Sequence, residues 1–219
     1  IMAKAQSDDW PQTKIDTDDD FAIMYSSGTT GHPKGVVQTH RGAISAIYCW
    51  WMTLLLAPLM TDEGAAPVEQ RPPAALIVTP LFHVTATHAM FLLSIPLGAK
   101  VVLMYKWDAE EAIRLINDEG VTRFLGVPTQ SADLMEAVRR QETALPSLEF
   151  LSSGGAKRPP AQVAALHDTF PNAAVASGWG MTETNANGIG MIGPEYLDRP
   201  GGAGRLYPPV QELKFLDDQ

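Results

Sequence analysis

Apolar residues along the 219-residue chain gather in short runs, and polar stretches suited to helices and loops separate them. The runs FAIMY (21–25), AALIVTP (74–80), KVVLMY (100–105), RFLGVP (123–128), LEFLSSG (148–154) and AAVASG (173–178) are nearly continuous rather than alternating. That is the pattern of strands covered on both faces. Between them, Asp108 to Glu119 sets Ala109, Ala112, Ile113 and Ile116 at helical spacing on one face and its charges on the other. Strand followed by helix, repeated, predicts an α/β fold with a largely parallel sheet flanked by helices. Ligands of such sheets bind outside the carboxyl ends of strands, and three Gly-rich blocks each follow a predicted strand.

One apolar stretch breaks this rhythm. Gly42 to Met60, GAISAIYCWWMTLLLAPLM, runs nineteen residues without a charge, close to the roughly twenty that a membrane span requires. Ser45, Thr53 and Pro58 lie inside it, and it is expected to be a buried helix rather than a membrane span. TDEGAAPVEQRPP (61–73), rich in Pro and acids, reads as an exposed loop too short for a domain linker.

Composition narrows the classes further. A hydrophobic content of 45% over this length suits one domain with a substantial core. The net charge of −9, from 25 acidic and 16 basic residues, argues against an extended nucleic-acid surface. Part of the acidity sits in DDWPQTKIDTDDD (8–20), a solvated lead-in. The single Cys49 has no internal disulfide partner and apolar neighbours, so an inert buried thiol and a reducing, cytoplasmic setting are expected, with no targeting peptide at the start.

The chemistry concentrates in YSSGTTGHPKGVVQTH (25–40). Ser26, Ser27, Thr29 and Thr30 offer hydroxyls, Gly28, Gly31 and Gly35 free backbone N–H groups to converge, and Lys34 brings a mobile positive charge. Those are the components of a phosphate-binding loop. The P-loop pattern does not fit, because Pro33 precedes the lysine and Gly35 follows it. On composition alone, a solvated turn between a strand and a helix would serve as well. His83 and His88 are not at metal-ligand spacing, and no G-x-S-x-G is present.

The residue order settles the choice. Tyr-Ser-Ser-Gly-Thr-Thr-Gly-x-Pro-Lys-Gly-Val closely resembles the signature loop of the adenylate-forming (AMP-binding) enzymes, which include acyl-CoA and aryl-CoA synthetases, luciferases and peptide-synthetase adenylation domains. SGWGMTET (177–184) resembles that superfamily's aromatic-Gly-x-Thr-Glu segment, and PLFHV (80–84) and SSGGA (152–156) lie between in the expected order.

The resemblance implies that the chain is the central part of the large N-terminal domain, one partial domain over 1–219, with the C-terminal lid and other segments of the parent chain absent. It implies ATP, Mg²⁺ and coenzyme A as the small-molecule partners. Ser26, Ser27, Gly28, Thr29, Thr30, Gly31 and Lys34 would cradle phosphate, Glu183 with Ser26 would hold Mg²⁺, and Thr182 would contact the α-phosphate. Lys34, Thr182 and Glu183 are thus the implied catalytic residues. Trp179, where relatives often carry tyrosine, would stack on adenine beside Ser177, Gly178 and Gly180. Gly154, Gly155 and Ala156 would make room where base and acyl group meet, with Lys157 and Arg158 read as solvated charges. His83, Val84, Gly126, Val127, Pro128 and Met181 would border the carboxylic acid.

Peptide-synthetase domains usually carry an aspartate for the substrate's amino group in the segment that here has no acid from Pro80 to Met90. A fatty or aromatic acid is therefore expected, activated as its adenylate and transferred to coenzyme A, with neither nucleic acid nor membrane as partner. The alternatives are a catalytically incomplete nucleotide-binding or structural fragment, and a luciferase-like enzyme.

Overall fold

The computed structural model describes residues 12–27, 31–56, 71–207 and 210–216. Its main sheet has seven strands: β3 (Ala74–Ile77), β4 (Lys100–Leu103), β5 (Arg123–Gly126), β6 (Phe150–Ser153), β7 (Ala174–Gly180), β8 (Gly188–Ile192) and β9 (Arg205–Leu206), in the spatial order β4-β3-β5-β6-β7-β8-β9. The first five in that order pair in parallel, and β8 and β9 extend the edge antiparallel. The predicted parallel α/β architecture is therefore present.

Leu76, Phe124, Leu151 and Val175 stand side by side across β3, β5, β6 and β7, and all are buried. This row packs against α3 (Ala109–Glu119), α4 (Pro128–Arg140) and α5 (Pro160–Thr169), which supply Ile113, Ile116, Leu134, Val138, Val163 and Leu166 to the same core. The predicted face of α3 holds, with Ala112, Ile113 and Ile116 buried. Asp108 caps it by accepting from the Glu110 and Glu111 N–H groups at 3.0 and 2.9 Å.

On the opposite face, Ala75 and Ile77 meet Ala86 and Met90. These come from α2 (Val84–Ala86) and the π-helical segment Thr87–Leu92 that continues it. The chain leaves β3 for β4 on one side, then returns past β3 to place β5 on the other. The order thus reverses between β3 and β5, where such sheets open a crevice.

Two expectations need correction. FAIMY is not a strand of the parallel sheet: it forms β1 (Asp20–Ser26), paired antiparallel with β2 (Lys34–Thr39) in a separate two-stranded sheet. Met24 is buried there, while Ile23 and Tyr25 are 60% and 72% exposed. The glycine-rich loop accordingly returns as a strand before any helix begins. Next comes α1 (His40–Leu56), which buries Ala43, Ala46 and Cys49 but leaves Ile44, Tyr48 and Leu55 exposed. Burial thus follows one stripe rather than the whole helix, and residues 57–60 of the apolar stretch lie outside the described residues. Among the described residues no helix is long and apolar enough to cross a membrane.

Phe124 is fully buried at the centre of the in-register row. Phe124→Ala is expected to cost about 3–5 kcal/mol of unfolding free energy through lost burial and the cavity left behind, read as a lower midpoint in urea denaturation.

Candidate functional site

The loops that leave β3, β5, β6 and β7 emerge at one edge of the sheet because those strands are parallel. They carry Pro80–Val84, Val127–Pro128, Gly154–Ala156 and Met181–Glu183 respectively. A cleft of about 510 Å³ gathers His83, Val84, Gly154, Gly155, Gly178, Gly180, Met181, Thr182 and Glu183. Beside it a second cavity of about 380 Å³ gathers Ala156, Ser177 and Trp179, and shares Gly155, Gly178 and Gly180 with the first. The two chambers meet along backbone that bears no side chains.

Other predicted residues stand elsewhere. Among the described residues, Gly126, Val127 and Pro128 line neither chamber. Gly126 accepts from the Gly154 N–H at 3.1 Å, and a Cβ at Gly155 would lie 3.8 Å from Val127 Cγ1, so this segment supports the glycine turn from behind. Gln130 fixes it by accepting from the Val127 N–H at 2.9 Å and donating to the Val78 carbonyl at 3.2 Å. Ser26, Ser27, Gly31 and Lys34 also lie outside both chambers, on the β1–β2 hairpin. Gly28, Thr29 and Thr30 fall outside the described residues.

One contact ties that hairpin to the sheet. Buried Gln38 donates from Nε2 to the Thr182 carbonyl at 2.7 Å, and both β1 and β2 pack on the 3₁₀ turn Thr182–Thr184. Lys34 shares the face of β2 that carries Gln38, because side chains alternate along a strand. It stands about 13 Å further along, at roughly 3.3 Å per residue.

The turn itself is held tightly. Thr184 Oγ1 accepts from the Met181 N–H at 3.0 Å and donates to the Asn187 carbonyl. Asn185 and Ala186 then adopt left-handed backbone, with φ of 55° and 63°. For alanine that conformation costs about 1–2 kcal/mol, and it swings the chain directly into β8. The reversal is so close that a Cβ at Gly180 would lie 2.1 Å from the Ala186 carbonyl oxygen. Glu183, at the tip, is exposed and makes no hydrogen bond or ion pair among the described residues.

Beneath the turn lies a polar knot. Asn185 is buried against α1, where a Cβ at Gly42 would meet its Nδ2 at 2.6 Å. Fully buried His88, on the π-helical segment, stands edge-on to Phe21 at 6.0 Å. Burial holds its pKa below the ordinary 6.5, and the Asn185 side chain beside it works in the opposite direction. His83 differs: it is exposed, and its Nδ1 accepts from the Thr85 N–H at 3.2 Å to cap α2.

Gln38, His88 and Asn185 carried no motif of their own. The one available signal was asparagine straight after Thr-Glu-Thr, a residue that tolerates left-handed backbone. Arg158 corrects another expectation. It is buried rather than solvated, with its guanidinium 5.9 Å from the Tyr196 ring centroid and Nη2 3.5 Å from Ser131 Oγ, and burial pulls its pKa down. Lys157 is exposed as read.

Among the described residues no group of three or more His, Cys, Asp or Glu could hold a metal ion unaided. A divalent ion here would rest on Glu183 and on oxygens that a ligand brings, a sharing that suits Mg²⁺.

The family model described as AMP-binding enzyme matches residues 2–219. The chain is 31% identical over 222 residues to a 4-coumarate–CoA ligase of Pinus taeda, covering 100% of this chain and 40% of that protein. It is likewise 31% identical to 4-coumarate–CoA ligase 5 of Oryza sativa subsp. japonica, covering 83% of this chain and 32% of that one. The chain therefore spans well under half the length of these relatives. Among solved structures, the N-terminal domain of FACL13 from Mycobacterium tuberculosis superimposes with a TM-score of 0.76 at 28% identity, covering 91% of this chain and 46% of that one. O-succinylbenzoate coenzyme A synthetase (MenE) from Bacillus subtilis, in complex with ATP and magnesium ion, gives 0.69 at 28% identity, covering 88% and 37%.

Two outcomes follow from the polar knot. Gln38→Ala leaves the Thr182 carbonyl without its buried donor and is expected to cost about 1–3 kcal/mol, with faster hydrogen exchange at the amides of residues 182–187. His88 titrates near 6.5 when unfolded and lower when folded, so the unfolded state binds more protons between those two values. Stability should therefore fall as pH drops below about 6.5 and stay level above it. Denaturation of the wild type and His88→Asn across pH 5–8 should show this slope shrinking in the variant.

Proposed function

The chain belongs to the AMP-binding enzyme family, and on that premise we propose that the whole protein activates a carboxylic acid with ATP and passes the acyl group to coenzyme A. The observation that carries the reading is the pair of chambers joined at Gly155, Gly178 and Gly180, with Thr182 and Glu183 at the mouth of one and Trp179 in the other. The Trp179 chamber offers a broad π face and small neighbours for a planar adenine. The His83 chamber is suited to the acid, which brings the acid's carboxylate and the α-phosphate together near Thr182.

In the first step a carboxylate oxygen attacks the α-phosphorus and the bond to pyrophosphate breaks, giving acyl adenylate. In the second, the coenzyme A sulfur attacks the acyl carbon and AMP leaves. Neither step needs a protein nucleophile. Negative charge accumulates on the phosphoryl oxygens, and fixed donors aimed at that charge lower the barrier without reorganising. Lys34, on the hairpin anchored by Gln38, and Thr182 are assigned that role, with Ser26, Ser27, Gly28, Thr29, Thr30 and Gly31 wrapping the outer phosphates.

Glu183 with Ser26 would hold Mg²⁺, which neutralises phosphate charge when bound; the exposed, unpaired carboxylate of Glu183 supports this. The acid is assigned to the class without an α-amino group, fatty or aromatic. PLFHVTATHAM carries no carboxylate to pair with an ammonium, and burying that cation unpaired is costly. Buried, unpaired Cys49 supports a reducing, cytoplasmic setting.

Acid-dependent exchange of pyrophosphate into ATP by the whole protein tests the first step, and thioester formation tests the second. Lys34→Ala and Glu183→Ala are each expected to lower exchange 10²–10³-fold, about 2.7–4 kcal/mol of transition-state stabilisation. Wild-type rates in both variants, or faster exchange with α-amino acids than with simple acids, would overturn the assignment.

A further inference from the structure

The His83 chamber does not stop at the mouth. Its wall runs down the face of the sheet past Leu125 and Ser152 to Arg123 and Phe150, paired residues at the opposite ends of β5 and β6. Arg123 and Leu125 share one face of β5, as Phe150 and Ser152 share one face of β6. From Gly126, level with the mouth, back to Arg123 is three residues, about 10 Å at roughly 3.3 Å each. Thr182 lies several residues beyond the level of Gly126, since Gly126, Ser153 and Ser177 are in register.

Arg123 is an unusual group to find there. Its guanidinium stacks 4.5 Å from the Phe150 ring centroid and makes no hydrogen bond or ion pair among the described residues. Burial pulls its pKa down to about 10, and the Glu149 carboxylate opposes this only from beyond ion-pair distance. The other charged pair on the wall, Glu195 and Arg205, is closed on itself at 2.7 Å. A guanidinium held in such surroundings with its forked donors free is matched by a carboxylate, which accepts two parallel N–H bonds.

We propose that Arg123 anchors the far end of the acid, so that the preferred substrate is an elongated acid carrying a second carboxylate remote from the one that is activated. The proposal rests on the acid-activating reading and narrows its fatty or aromatic class. A plain hydrocarbon tail would set a methyl group against the guanidinium and leave its donors unmatched. Sites built to hydrogen-bond a substrate group discriminate strongly against analogues that lack it.

The test measures pyrophosphate exchange by the whole protein with octanedioic, decanedioic and dodecanedioic acids against the monocarboxylic acids of equal length. The wild type is expected to favour the diacid at least tenfold in kcat/KM at the best length. Arg123→Gln should reduce that ratio at least tenfold, and Arg123→Lys should retain part of it. A wild-type preference for the monoacid, or a ratio unchanged in Arg123→Gln, overturns the proposal.

If no acid supports exchange, the activity reading fails on its own, and thermal denaturation decides the subsite. Diacid raising the melting temperature of the wild type but not of Arg123→Gln supports the anchor, and equal or absent shifts in both overturn it.

Discussion

Parallel pairing forbids a tight turn: each strand must be followed by a crossover that returns to the starting edge before the next can pair. From that constraint follow both the burial of β3, β5, β6 and β7 under helices and the emergence of all their outgoing loops at one edge. The row Leu76, Phe124, Leu151 and Val175 fixes the register, and register fixes which residues reach the edge together. Pro80–Val84, Gly154–Ala156 and Met181–Glu183 are far apart in the chain and neighbours in space because the core leaves no other arrangement.

The β1–β2 hairpin is a separate sheet joined to this frame through one hydrogen bond and close side-chain packing. Gln38 reaches the Thr182 carbonyl, Asn185 wedges against Gly42, and His88 closes the knot against Phe21. Of these contacts the Gln38–Thr182 hydrogen bond is the directional one, and it does what a smooth apolar interface cannot: it defines one position of the hairpin relative to the turn bearing Glu183. Two consecutive left-handed residues, Asn185 and Ala186, show that the turn is held against its own local preference.

Much of this was legible in the sequence. Continuous apolar runs marked β3 to β7, and the spacing of Ala112, Ile113 and Ile116 marked the buried face of α3. Four ordered motifs identified the family, and the structure gathers His83, Gly154, Gly155 and Thr182–Glu183 around one cleft. What escaped has physical causes. β8 carries Gly188 and Gly190, so it shows no alternation, and β9 is two residues long. FAIMY is as apolar as a core strand, yet its environment is set by a hairpin partner that no local pattern reveals. Gly126–Pro128 sit one layer behind the cleft because strand position gives height along the sheet but not depth. Arg158 is a buried charge and Arg123 a half-buried one, and their positions depend on Tyr196 and Phe150, residues remote in sequence.

The shared wall of the two chambers bears on how such a protein can diversify. Gly155, Gly178 and Gly180 line both chambers, and a Cβ at Gly180 would strike the Ala186 carbonyl while one at Gly155 would turn toward Val127, so a side chain there would displace backbone that the two chambers share. Substitution at those positions would therefore disturb both chambers at once. Arg123 and Phe150 line the first chamber alone, so changes can accumulate there while the second chamber is inherited intact.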